Sequence, residues 1–202
     1  MRAQGRSPGA AGTAQVIADA ATRLFHDRGY HGTSVRDIAR EADVGIATLF
    51  HHYDSKMELL RGIVDAEVDG LLADVDGAVA AAGKDPTARL GAAARAYARH
   101  HHERPLESAL ATSELRSLEP PARDEIEGKR ARVHRHVSCA LADGIASGAF
   151  SCDRPDETAY AVEAMCAAVA SGDAVSHDVE DLCVRMAFRV AGSHRIAPAG
   201  LG

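Results

Sequence analysis

The chain has 202 residues, 46% apolar and 26% charged, a balance that supports a buried core without disulfide or metal staples and excludes a disordered polymer. Only eight of its residues are aromatic, Trp is absent and Ala runs through most segments, so the expected fold class is all-α. The formal net charge of −6 taken alone argues against a nucleic-acid partner.

That average conceals an asymmetry. Residues 1–61 carry eight Lys/Arg against seven Asp/Glu, so the excess of acid lies in the rest of the chain. The longest apolar run, Ala164 to Ala170, falls far short of the roughly 20 residues that cross a bilayer. Met1 to Pro8 carries positive charge without the apolar stretch of a secretory signal, which points to a cytoplasmic protein. Cys139, Cys152, Cys166 and Cys183 include no close pair of the kind that builds a zinc knuckle or redox motif, and read as small core or surface thiols.

Residues 1–12, with Arg2 and Arg6 among Gly, Ala and Ser, read as a mobile basic leader. From Thr13, Val16/Ile17, Ala20/Ala21 and Leu24/Phe25 recur at helical spacing, and Gly29 is the natural stop. Ser34-Val35-Arg36-Asp37 is a capping box opening a short helix that ends near Ala42 and buries Val35, Ile38 and Ala39. Asp43-Val44-Gly45 makes a tight connection, in which Asp43 tolerates left-handed backbone angles and Gly45 serves as N-cap, before a second short helix from Ile46 to about His52. Two short helices joined by so short a turn form a helix-turn-helix. Ser55-Lys56-Met57-Glu58 is another capping box, and apolar periodicity from Met57 predicts a long fourth helix to about Ala82. Four of the eight aromatics, Phe25, Tyr30, Phe50 and Tyr53, lie in this small head and supply its core.

Val16 to Leu60 resembles the DNA-binding domain of TetR-family transcriptional regulators. The matching residues are Leu24-Phe25, Gly29-Tyr30, Thr33 to Ala39, Ala42-Asp43-Val44, Thr48 to Tyr53 and Ser55 to Leu60. The family often has Gly at Asp43, Ser at Gly45, Tyr at Phe50 and a polar residue at Ile46; a phosphate contact through the missing tyrosine hydroxyl is therefore absent here. The resemblance implies a three-helix helix-turn-helix domain over residues 13–55. A larger helical effector-binding and dimerisation domain would follow over 56–192, then a flexible tail over 193–202.

A major groove roughly 12 Å wide admits a short helix with small leading residues. Ile46, Ala47 and Thr48 are accordingly expected at the base edges, with Ile46 meeting a thymine methyl and Gly45 at the helix start beside them in the DNA-binding set, while Leu49 faces the core. His51, His52 and Tyr53 are expected to reach the flanking backbone, as are Thr33, Ser34 and Arg36 at the start of the preceding helix and Lys56 at the start of the fourth.

Beyond Gly83 the punctuation is regular. Helices are predicted from Asp85-Pro86 to Glu103, from Pro105 to Leu118, after Pro120-Pro121 to Gly148, from Arg154-Pro155 to Ser171 and from Asp178 to Ala191. The last two carry Val162, Met165, Cys166 and Val169, and Val179, Leu182, Cys183, Met186 and Val190. Either these pack inside one subunit or, as the resemblance implies, they build a four-helix interface with a second copy. Paired half-sites one helical turn apart favour the homodimer. By the same resemblance Tyr97, Leu106, Leu110, Leu115, Val133, Val137, Phe150 and Met165 line an effector pocket or simply fill the core. Ser113 to Leu118 faintly resembles members that respond to acyl-CoA thioesters, with Arg116 meeting a ligand anion.

The triplet His100-His101-His102 cannot converge on one ion, because successive helical residues diverge by about 100°; only one or two of them could bind, with Glu103 or the distant His134 or His136 joining. An exposed helix end, where His complements the helix dipole, is the expectation. The leading function is a homodimeric, ligand-responsive repressor that binds a palindromic operator. A metal-dependent helical enzyme is the rival from another class, but no nucleophile, phosphate-loop or metal-spacing motif supports it, and no cofactor is implied. An adaptor with the same fold that has lost DNA binding is the remaining alternative.

Overall fold

The computed structural model describes residues 10–171 and 178–193, and within them nine α-helices and one 3-10 turn follow one another without a strand. The basic leader and the tail expected at the two ends lie outside these residues, apart from 10–12, which are helical, and Ser193. None of the described helices is long and apolar enough to cross a membrane.

The described residues form two compact units. The first comprises residues up to Ala66 together with Leu106–Arg123; the second comprises Glu67–Pro105 and the residues from Asp124 onward. The head therefore gathers a segment, 106–123, that lies in sequence within the larger C-terminal part.

In the first unit, α1 (Ala10–Gly32) is interrupted at Gly29, whose φ of 73° is the left-handed conformation that glycine adopts at no steric cost. Ser34 caps α2 (Val35–Glu41) as expected: its hydroxyl accepts from the Asp37 amide and the Asp37 carboxylate accepts from the Ser34 amide. Asp43 turns the chain with a φ of 52°, and Gly45 opens α3 (Ile46–His52). Ile17, Leu24, Phe25, Ile38, Leu49, Leu59, Leu60 and Val64, the last three from α4 (Lys56–Ala81), are buried and form the head's core. The second capping box differs slightly in form from the first: Ser55 Oγ accepts from the Glu58 amide, but the Glu58 carboxylate accepts from Asp54 rather than from Ser55.

The predicted helix from Pro105 to Leu118 stops earlier. α6 (Pro105–Ser113) ends where the Thr112 and Ser113 hydroxyls turn back to the Ser108 and Leu110 carbonyls, and a 3-10 turn follows at Leu115–Ser117.

In the second unit, α5 (Pro86–Glu103) packs against α8 (Pro155–Ala170) and α9 (Val179–Val190), which pack on each other. Buried Ala93, Ala94, Ala96 and Ala98 keep α5 thin enough for close approach. Two glycines seat the aromatic pair Phe150 and Phe188, whose centroids are 6.2 Å apart: Phe188 lies over Gly91, and Phe150 lies directly over Gly144 of α7 (Pro120–Ala146).

Candidate nucleic-acid interface

α3 presents one face to the head's core through Leu49, which is fully buried, and leaves Gly45, Ile46, Ala47, Thr48, Phe50 and His51 exposed. Ile46 and Phe50 are 42% and 46% exposed, as is Val16 of α1 at 40%. The helix contains no carboxylate, and His51 and His52 form its last turn.

The flanking residues divide into those that face outward and those that hold the head together. Thr33 is buried, with its hydroxyl 3.0 Å from both the Leu24 and Gly29 carbonyls, so it closes the end of α1 and has no proton left for a phosphate. The Ser34 hydroxyl is committed to Asp37. That contact, followed by Arg40, holds the Asp37 carboxyl below the usual carboxylate range, and the carboxylate fills the N-terminal position where an outside anion would sit. Arg36 remains exposed on α2. The Tyr53 hydroxyl donates to the Ala14 carbonyl of α1 at 3.2 Å, and His52 is half-buried beside it in sequence.

Lys56 is more than a surface charge. Its ammonium donates to the Tyr30 and Thr33 carbonyls at 2.8 and 2.9 Å and stands 4.0 Å from the centroid of the Tyr30 ring. Burial lowers its pKa, an effect opposed by the charge of Glu114. Glu114 reaches the same turn: one carboxylate oxygen accepts from the Tyr30 amide at 3.1 Å and the other from the Ser117 hydroxyl at 2.6 Å. Sequence reading missed this contact because its partners are 84 positions apart.

The residues expected in an effector pocket are distributed over both units. Leu106, Leu110, Leu115 and exposed Arg116 belong to the first. Tyr97, Val133, Val137, Phe150 and Met165 belong to the second, where Val133, Val137 and Phe150 are core and Tyr97 and Met165 pack against it. In the expected dimer set, Val162, Cys166, Val179 and Cys183 turn inward and are buried in their own subunit. This corrects their outward placement: apolar periodicity marks a face but not whether its partner is in the same chain. Met165, Val169 and Met186 are half-buried, whereas Leu182 and Val190, with Tyr160, are exposed.

The histidine run is also corrected. His100 and His101 are buried rather than displayed at an exposed helix end; only His102 is exposed. His100 Nδ1 donates to Asp74 at 2.7 Å and Nε2 lies 3.1 Å from a Glu67 carboxylate oxygen. Burial alone would lower the His100 pKa, but Glu67 and Asp74 outweigh it and raise the value. Gly70 makes room for this ring, since a Cβ there would stand 3.1 Å from His100 Cε1. The signal available in sequence was Glu67, Gly70 and Asp74 on one helical face. His101 stacks on Tyr97 with centroids 4.4 Å apart, and its Nδ1 donates to the Tyr97 carbonyl.

Two family descriptions match the chain: bacterial regulatory proteins of the tetR family over residues 17–63, and the tetracyclin repressor-like C-terminal domain over 83–190. The chain belongs to the TetR family of bacterial regulatory proteins. Among similar proteins, the HTH-type transcriptional activator FasR of Mycolicibacterium smegmatis is 37% identical over 78 residues, 39% of this chain and 35% of that protein. The HTH-type transcriptional repressor KstR2 of Rhodococcus jostii is 43% identical over 61 residues, 28% of this chain and 30% of that protein. These matches thus span about a third of each relative's length. A solved structure of AibR in complex with isovaleryl coenzyme A and operator DNA superposes with a TM-score of 0.78 at 22% identity, covering 90% of this chain and 99% of that one.

Proposed function

We propose that this protein is a sequence-specific DNA-binding transcriptional regulator of the cytoplasm, a homodimer that places α3 of each head in the major groove of a palindromic operator. The observation that carries this reading is the exposed α3, backed by the buried Leu49 and lying inside the segment matched by the TetR-family description. Gly45, Ile46, Ala47 and Thr48 face base edges. Arg36, His51 and the outward side of Lys56 meet phosphates, while Thr33, Ser34, His52 and Tyr53 fix the geometry of the turn.

Residues 13–55 are the reading domain and 56–192 the effector-binding and dimerisation domain in this account. The exposed apolar residues Tyr160, Leu182 and Val190 on α8 and α9, with half-buried Met165, Val169 and Met186, support a self-complementary face for the second copy. An apolar or acyl-thioester effector that favours the geometry unfit for DNA releases the operator, which makes the protein a repressor. The ligand of AibR, a protein of the same fold, supports that effector class.

Footprinting on the DNA flanking the gene, with subunits counted per protected site, tests the proposal. A symmetric protected region holding two subunits is expected; no protected region, or one subunit on any duplex, overturns it.

A further inference from the structure

α3 reads Ile46-Ala47-Thr48-Leu49-Phe50-His51-His52, and Arg, Lys, Asn, Gln, Asp and Glu are all missing from it. Those residue types carry the bidentate or charged hydrogen bonds by which proteins distinguish guanine, adenine and cytosine in the major groove. Beside the exposed Thr48 and His51, what the helix offers is apolar. Ile46 and Phe50, four positions apart, share one face, and both are about half exposed, while Leu49 is turned fully inward. The Phe50 ring is therefore not a core residue that lost a hydroxyl. It stands in solvent on the reading helix beside Ile46.

An exposed apolar pair of this kind has one chemically matched feature in the major groove, the thymine 5-methyl group. Four residues of helix rise about 6 Å, close to two base-pair steps of roughly 3.4 Å each. A helix lying along the groove can therefore set each side chain on its own thymine within a three-base-pair window. Ala47 and Gly45 keep the backbone close enough for such contact, since neither projects a long side chain. A second protein copy does not suit the patch: two side chains fall far short of the roughly 800 Å² per partner that a stable interface buries.

We infer that Ile46 and Phe50 together set operator specificity by reading thymine methyl groups, so that each half-site contains thymines at two fixed positions within three base pairs. This rests on the DNA-reading function proposed above, which it deepens by assigning Phe50 a base-reading role.

The test enriches an operator from a random duplex pool with the full chain, then replaces each thymine in turn by deoxyuridine, which removes the methyl and leaves the hydrogen-bonding edge intact. Affinity is read by fluorescence anisotropy. Two positions per half-site lose about fourfold each, the value of one buried methyl group. One penalty shrinks in Ile46→Ala and the other in Phe50→Ala; each side chain is more than half covered, so both variants melt somewhat below the wild type, and the penalties are compared at a temperature where all three proteins are folded. If the operator is discriminated from a scrambled duplex yet every deoxyuridine is tolerated, the methyl reading is wrong and the DNA-binding proposal stands. Penalties unchanged in both variants would move the contact to other residues and overturn the assignment of this pair. If no duplex is enriched, the DNA-binding proposal falls and takes this inference with it.

Discussion

Lys56→Met separates two roles that sequence alone had merged into a single phosphate contact. Methionine keeps most of the unbranched stem and removes the charge and the donors. In the native head the ammonium donates to two carbonyls, at 2.8 and 2.9 Å, and sits over the Tyr30 ring. Hydrogen bonds from a charged donor contribute about 1.5–3 kcal/mol each when buried, and a cation–π contact roughly 0.5–1 kcal/mol at exposed sites. Because Lys56 is only half-buried, solvent screening reduces the total, and a loss of about 2 kcal/mol is expected. Urea denaturation followed by a probe in the head measures it, and amide exchange at Thr33 should accelerate by about thirtyfold for a loss of that size. Two of the three ammonium protons are used internally, leaving one for a phosphate. The same variant therefore weakens binding to all duplexes and lowers the slope of log K against log salt by about one. A stability change under about 0.5 kcal/mol, the size of an ordinary surface substitution, refutes the anchoring role; an unchanged slope removes Lys56 from the phosphate contacts.

Three further outcomes follow from the same geometry. Gly144→Ala would place a Cβ 2.0 Å from Phe150 Cδ2, so it destabilises the second unit by about 1–3 kcal/mol, partly rescued by Phe150→Leu; an unchanged denaturation midpoint contradicts this packing. The raised pKa of His100 means that its ion-pair contribution is fully present below the unfolded value of about 6.5 and is lost as pH rises through the folded value. The melting-temperature gap between wild type and His100→Gln should accordingly be widest in mild acid and narrow toward alkaline pH, and a gap independent of pH excludes a charged His100. Glu114→Ala, which leaves the Tyr30 amide without its acceptor, speeds exchange of that amide about fivefold for a loss near 1 kcal/mol, whereas Glu114→Gln keeps the acceptor and stays close to wild type. Equal exchange in all three proteins disproves the contact.

Local chemistry was the most legible part of the fold. The Ser34–Asp37 capping box, the left-handed turns at Gly29 and Asp43 and the span of α3 all depend on residues within a few positions of one another, and all can be read from the chain. The end of α6 was not legible, because Ala109, Leu110 and Ala111 fit a longer helix and only the hydroxyl back-bonds of Thr112 and Ser113 with the turn at Leu115–Ser117 mark the break. In the candidate site, exposure of Ile46 and Thr48 could be anticipated from helical phase. The internal commitments of Thr33, Tyr53 and Lys56 could not, since each donates to at least one carbonyl 9 to 39 positions away that sequence does not bring together. The inward turn of Cys166 and Cys183 and the burial of His100 share that cause: periodicity gives a side chain's direction on its helix, and only packing gives what lies opposite.

The most direct test of the account is competition between the enriched operator and a scrambled duplex of equal length and composition, measured for the full chain at physiological salt. The account predicts a preference of at least about a thousandfold for the operator, with two subunits bound per site. Equal affinity for the two duplexes, or saturation by a single subunit, would contradict it.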